Sequence, residues 1–203
     1  HIRARRAENP KARARDFAGD LGITEAELVA AHVGFGATPI NPTPAALFPL
    51  IRDLGEVMAL TRNRSCVHER VGVYDPFQGG AQAAMVLGPE IDLRIFPAHW
   101  IHGFAVEEAG EAGTRRSLQI FDAQGDAVHK VHLRAGSDLA GFDRLVATLT
   151  RDLPAMDLAP PVPVAAAKAD PAQAGALRAE WERMTDTHQF QRMVHRLKMN
   201  RLG

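Results

Sequence analysis

Apolar positions recur with two different periods along this chain. Between about residue 56 and residue 135 the runs "EVMALT", "SCVHERVGVY", "AQAAMVL", "IDLRIF", "WIHGFAVEE", "RRSLQIFDA" and "AVHKVHLRA" are short and rich in β-branched residues. They are separated by the turn-forming stretches "TRNR", "DPFQGG", "LGPE", "EAGEAGT" and "AQGDA". Runs of this kind predict half-buried strands, and connections this short predict an antiparallel meander, with "DAQGDA" as a hairpin turn. Before the strands the period is helical. Asn9 before Pro10 predicts a helix start, the helix running to about Asp20 with Gly22 ending it. "TEAE", Thr24 to Glu27, is a capping box for a second helix to about Ala31, and Thr43 before Pro44 opens a third, "PAALFPLIRDL", stopped by Gly55. After the strands, Asp138 caps an amphipathic helix with Leu139, Phe142, Leu145, Val146 and Leu149 on its inner face. Helices, then strands, then a helix predict an α+β fold: an antiparallel sheet of about seven or more strands with helices packed at one face or end.

"LPAMDLAPPVPVAAAKADPAQAG", Leu153 to Gly175, breaks both periods and reads as a Pro/Ala-rich, partly extended linker. Asp170 and Pro171 then cap a helix through about Arg183. It leads into "MTDTHQFQRMVHRLKMNRL", where Asp186 and Gln189 form a capping pair and place His188 in a first turn. Phe190, Met193, Val194 and Leu197 make an apolar face, with His188 and His195 together on another. The expected organisation is a folded unit over 1–152, a linker over 153–170 and a helical hinge over 171–203.

Charge is balanced overall, with 24 basic and 24 acidic side chains. It is unevenly spread: residues 1–16 hold six Arg and Lys against Glu8 and Asp16, and residues 183–203 hold five against Asp186, so both ends are basic and the body acidic. The two short N-terminal helices joined through "LGI" resemble a DNA-binding helix-turn-helix. The would-be recognition helix, "EAELVAAHV", offers Glu, Ala and Val where base readers need Arg, Asn, Gln or Lys, and its glutamates repel phosphate, which argues against nucleic acid as a partner. A single cysteine, Cys66, excludes an intrachain disulfide and a cysteine-cluster metal site, and suits a reducing compartment. No run approaches a membrane span and no apolar segment follows the basic start, so a cytoplasmic protein is expected.

Nine histidines supply no HxxxH pair with an intervening glutamate; His99 and His102, like His129 and His132, are three apart in segments read as strand and would face opposite sides. Glycine-rich phosphate loops, a G-x-S-x-G elbow and a dinucleotide fingerprint are all missing. In "SCVHERVGVY", alternation puts Cys66, His68, Arg70 and Tyr74 on one face, which either lines a pocket or faces solvent. In "DLRIF" it puts Asp92, Arg94 and Phe96 together, opposite Leu93 and Ile95.

Five segments in series, "NPKARARDFAGDLGITEAELVAAHVG", "LTRNRSCVHERVGVY", "EIDLRIF", "RRSLQIFDAQGDAVHKV" and "WERMTDTHQFQRMVHRLKMNRL", resemble the HemS/HmuS/ChuS family of cytoplasmic haem-binding proteins of bacterial haem uptake. The resemblance implies two similar halves, each an antiparallel sheet with helices, and haem held in a cleft between the second half and the helical linker leading into it. It implies His188, in "TDTHQF", as the axial ligand to haem iron, and Arg201, further along that helix, as the partner of a haem propionate. Arg94 would reach the distal side, and His68, in "VHE", would be a second haem ligand. Gln189 and Gln191 stand where some relatives carry further histidines. The resemblance also implies haem as cofactor, and a haem oxygenase or the cytoplasmic side of a haem importer as partner. The expected role is a haem carrier, the alternative an oxygen-dependent haem-degrading enzyme. Only the first repeat and the linker helix are expected here, so haem should be held weakly unless two chains associate as a homodimer.

Overall fold

A computed structural model describes residues 1–63, 66–110 and 113–202. Its chain divides into two compact units, residues 1–160 and 161–203. The first is α+β. Three short helices, α1 (Ile2–Glu8), α2 (Ala14–Asp20) and α3 (Glu25–Ala30), precede strand β1 (Ala37–Ile40) and helix α4 (Pro44–Arg52). Eight further strands follow: β2 (Val57–Arg62), β3 (Val67–Gly72), β4 (Phe77–Gln78), β5 (Ala84–Leu87), β6 (Asp92–Ile95), β7 (His102–Gly110), β8 (Gly113–Phe121) and β9 (Ala127–Leu133). Helix α5 (Leu139–Leu149) closes the unit.

The strands form two antiparallel sheets and not one meander. Six are ordered β1-β7-β8-β9-β2-β3 and three are ordered β4-β5-β6. Two runs, β7-β8-β9 and β2-β3, are consecutive neighbours in the larger sheet, and they join where β9 pairs with β2 through Val57 opposite Leu133. The predicted "DAQGDA" turn is present: the Asp122 carboxylate accepts from the Gln124 and Asp126 N–H groups, and Gly125 supplies the left-handed backbone (φ 82°) that the turn requires. The turns "TRNR" and "EAGEAGT" include residues outside those described.

One face of the large sheet builds the main core. Ile40, Val57, Ala59, Ala105, Leu118, Ile120 and Val131 point to the side that Leu47, Phe48 and Ile51 of α4 and Phe142, Leu145 and Leu149 of α5 cover. Phe48 is fully buried, stacked on Phe77 at 4.8 Å and tilted against Tyr74 and Trp100. Each such side chain contributes about 1.5–3 kcal/mol. The opposite face carries a smaller cluster, Ala37, Phe104, Val106 and Phe121, under Ala26 and Val29 of α3.

Three local expectations change. Asn9 does not open a helix. It closes α1, its side chain donating to the Arg5 carbonyl, and α2 begins only at Ala14. His99 is not in a strand but in a 3-10 turn, Pro97–His99. Tyr74 is not on an exposed strand face, because β3 ends at Gly72 and the chain then turns Tyr74 fully into the core. The capping box at Thr24 is present with both reciprocal hydrogen bonds.

The second unit holds an extended segment, a 3-10 turn (Pro171–Gln173), α6 (Ala174–Glu182), a 3-10 turn (Thr187–Gln189) and α7 (Phe190–Arg196). Met193, Val194 and Leu197 are buried against Leu177, Phe190 and Met199, the predicted apolar face. The extended segment is tied down by Asn200, whose side chain donates to the Ala166 carbonyl and accepts from the Lys168 N–H.

Candidate functional site

Arg94 occupies the third position of β6, where alternation turns it outward while Ile95 is buried. The strand leads through Phe96 into the 3-10 turn at Pro97–His99, whose tightness brings Trp100 back under the sheet with its N–H donated to the Pro97 carbonyl. Between this turn, the end of β2 and the base of the β8–β9 hairpin lies a cavity of about 330 Å³. Leu93, Phe96, Trp100 and Val128 give it apolar walls, and Arg94 and His99 are among its polar lining. The Arg94 guanidinium sits 5.7 Å from the centre of the Phe96 ring. Among the described residues it makes no ion pair, so its charge is available to a ligand.

Thr61 and His129 also line this cavity and belong to a polar network that the sequence pattern did not single out. His129 is buried, with Nε2 2.6 Å from the Tyr74 hydroxyl and Nδ1 2.9 Å from the Thr61 hydroxyl, and Trp100 stacks on it at 5.8 Å. Burial, and secondarily His132, lowers the His129 pKa to about 4, so the ring is neutral. Burial also raises Tyr74 well above the ordinary phenol value, which keeps its proton on. A fully buried phenol O–H needs an acceptor, so Tyr74 donates to Nε2. The neutral ring then carries its proton on Nδ1 and donates it to the Thr61 oxygen at the cavity wall. The signal for this was present in "AVHKVHL": alternation puts His129 on the same face as Val131, the face that packs.

His68 is placed differently. It lies on β3, the edge strand, opposite Thr61 of β2, is exposed, and does not line the cavity that Arg94 rims. Both faces of β3 reach solvent, since Val67 is exposed as well. Alternation therefore groups His68 with Arg70 on β3 but separates no inside from outside there, and it does not extend to Tyr74.

His188 lies in the second unit, half-buried, in the 3-10 turn that precedes α7. The Asp186 carboxylate accepts its backbone N–H at 2.8 Å, as the capping pattern predicts. Gln189 departs from the box: its side chain accepts from the Thr185 N–H instead and donates to the Thr185 hydroxyl. Arg201 is not further along the helix. Leu197 ends α7, and Lys198 takes left-handed backbone (φ 55°). The Lys198 and Met199 N–H groups donate to the His195 and Val194 carbonyls in a Schellman closure. Arg201 follows in an exposed turn beside the Asn200 clasp. Among the described residues no group of three or more His, Cys, Asp or Glu could hold a metal ion, and no helix is long and apolar enough to cross a membrane.

Fold and cavity together define an α+β domain in which an antiparallel sheet presents an arginine at the rim of an aromatic-walled cavity. Residues 22–149 match the Haemin-degrading HemS.ChuX domain, and the chain belongs to the HemS/HmuS/ChuS family. It is 37% identical over 198 residues to the hemin transport protein HmuS of Yersinia pestis, covering 97% of this chain and 57% of that one. Holo-PhuS, a heme-binding protein from Pseudomonas aeruginosa, superposes with a TM-score of 0.82 at 43% identity, over 98% of this chain and 59% of its own. The heme degrading enzyme ChuS of Escherichia coli O157:H7 gives 0.78 at 33% identity, over 97% and 57%. The chain thus spans somewhat over half the length of these relatives.

Proposed function

We propose that this chain binds haem as a cytoplasmic component of bacterial haem uptake. The observation that carries the reading is Arg94: a guanidinium without a carboxylate partner among the described residues, at the rim of a cavity walled by Leu93, Phe96, Trp100 and Val128. A flat apolar ring system with anionic edges fits that combination, since apolar walls favour the macrocycle and a free guanidinium favours a negative group. His188 is the proposed iron ligand, on a turn whose backbone Asp186 fixes. Arg201 is the proposed propionate partner, its exposed turn leaving the side chain free to reach, and His68 is a secondary ligand on the exposed edge strand. Support comes from relatives whose names record hemin transport and heme binding. The proposed organisation is a haem-utilisation unit over 1–152, a linker over 153–170 and a helical hinge over 171–203. A haem oxygenase or the cytoplasmic side of a haem importer is the proposed partner, and a homodimer the form that would hold haem firmly.

Haem titration followed at the Soret band tests the assignment. Loss of the wild-type spectrum and weakened binding in His188→Ala is the expected result, and an unchanged spectrum and affinity overturns it. A second reading, haem degradation, is favoured by the free guanidinium at a cavity that also has room for a small molecule, and by the likeness to ChuS. Bound haem would supply the redox chemistry, while this chain's residues bind, orient and exclude water. Haem-loaded protein given a reductant loses its Soret band in the presence of catalase if it is an enzyme. Decay only when catalase is left out returns the protein to the carrier role.

A further inference from the structure

On the opposite side of the large sheet lies a second cavity, of about 470 Å³, between α1, α3 and the β1–β7 edge. Its size falls within the range of small-molecule sites. Leu28, Val29, Ala37 and Val106 make its floor apolar. Phe35 lies at its mouth and is 65% exposed, a large aromatic side chain that folding alone would hide. It is held there by construction. Gly34 and Gly36 flank it with left-handed backbone (φ 77° and 96°), the Phe35 N–H donates to the His32 carbonyl, and the Glu107 N–H donates to the Gly36 carbonyl at 2.7 Å. A Cβ at Gly36 would lie 2.5 Å from the Glu107 carbonyl oxygen, so only glycine lets the loop sit this close to β7. The result is a fixed backbone position for the Phe35 ring at the cavity mouth.

The charges at this cavity do not cancel. The carboxylates in its wall are matched, Glu107 by Arg116 at 2.9 Å and Glu108 by Arg115 at 3.5 Å. Arg3 and Arg6 are not: among the described residues Arg3 stacks on Phe35 at 3.8 Å and donates to the Ala31 carbonyl, while Arg6 donates to the carbonyls of Asn9 and Ala12. Backbone carbonyls leave the charge of a guanidinium uncompensated, and each fork retains further N–H donors. His32 adds one more directed group: its Nδ1 faces the Leu28 carbonyl at 2.9 Å and must donate there, which leaves Nε2 as the nitrogen for a ligand.

We infer that this cavity binds a planar aromatic anion, its ring against Phe35 and the apolar floor and its acidic group on Arg3 and Arg6. The site is built from residues apart from those proposed for haem, and does not depend on that reading. The test uses a matched pair of fluorescent probes, anionic 1-anilinonaphthalene-8-sulfonate and neutral N-phenyl-1-naphthylamine, titrated into the full chain. The wild type is expected to saturate with the anion at one site. The Arg3→Gln/Arg6→Gln double variant should weaken the anion about tenfold, one good charge-assisted contact, and change the neutral probe by less than about twofold. Phe35→Ala and Ala7→Trp, both at exposed positions, should weaken both probes, while haem titration of all these variants stays as in the wild type. Anion binding that survives Ala7→Trp, or equal loss of both probes in the arginine variant, overturns the assignment.

Discussion

His129 and Lys130 are consecutive on β9 and point to opposite sides of one sheet, and both are buried. On the His129 side the polar group is made neutral and passed along a short chain of hydrogen bonds, Tyr74 to His129 to Thr61, inside an aromatic core. On the Lys130 side the charge is kept and matched: Nζ lies 2.7 Å from a carboxylate oxygen of Glu25 on α3, with the side chains only 10% and 7% exposed. The difference follows from what covers each side. Helices α4 and α5 and the small sheet close the first side with large apolar side chains, so charge there would be stranded. The second is covered by short helices that bury few residues, and a directed ion pair spanning 105 positions fixes where α3 sits.

The largest effect that would break this contrast is loss of one half of the ion pair. Lys130→Ala leaves the Glu25 carboxylate buried without a partner, and urea unfolding is expected to show a loss of about 4 kcal/mol. Replacing both, Lys130→Met with Glu25→Leu, should recover most of it, because the cost belongs to the uncompensated charge and not to the missing attraction. A single variant within about 0.5 kcal/mol of wild type would mean that α3 is positioned by Ala26 and Val29 alone.

The neutral side responds to acid. The folded-state pKa of His129, about 4, lies below its ordinary value of 6.5. Between the two the unfolded chain binds more protons, so stability rises with pH. The contribution is complete above pH 6.5 and is lost as pH falls towards 4, and at full size it is about 3 kcal/mol. His129→Gln should flatten the stability–pH curve across that window. A residual slope remains from His102 and His132, whose pKa values burial also lowers. An identical slope in the variant would place the acid sensitivity elsewhere. Smaller again is Tyr74→Phe, which leaves His129 Nε2 buried without its donor. Its expected cost is about 1.5 kcal/mol in thermal or urea unfolding, without the pH signature of the histidine variant.

What was legible in the sequence was whatever depends on near neighbours. Thr24 and Glu27 announce their capping box, alternation sorts Arg94 from Ile95, and the terminal helix shows its buried face in Met193, Val194 and Leu197. Features set by distant pairing were not legible. "ATPI" is only four residues with Pro39 among them, and it is a strand because β7 pairs with it; Phe77 and Gln78, inside a turn-like stretch, are a strand because β5 does. The separation into two sheets has the same origin. Arg201 was misplaced because the helix stops at a lysine in left-handed backbone, where the expected stop signal is glycine or asparagine. The candidate cavity needed a 3-10 turn, a hairpin base and the end of β2 to converge, so alternation could group Arg94 with Asp92 and Phe96, and the family resemblance could point it at a ligand, but neither could show the cavity it rims.

The finest distinction between the two sides concerns how Glu25 is aimed. Thr24 accepts the Glu27 N–H, and the Glu27 carboxylate accepts the Thr24 N–H at 2.8 Å, so the first turn of α3 is set from both ends. Glu25 is the residue immediately after the cap. Thr24→Ala removes a cap and should cost about 1 kcal/mol in urea unfolding. If the cap also aims the carboxylate, the cost of Lys130→Ala should shrink by about 0.5 kcal/mol in the Thr24→Ala background, since a frayed first turn lets Glu25 reach water. Strict additivity would instead mean that the cap stabilises α3 without directing its ion pair, and that the position of the helix is set wholly by its apolar contacts with Phe104 and Phe121.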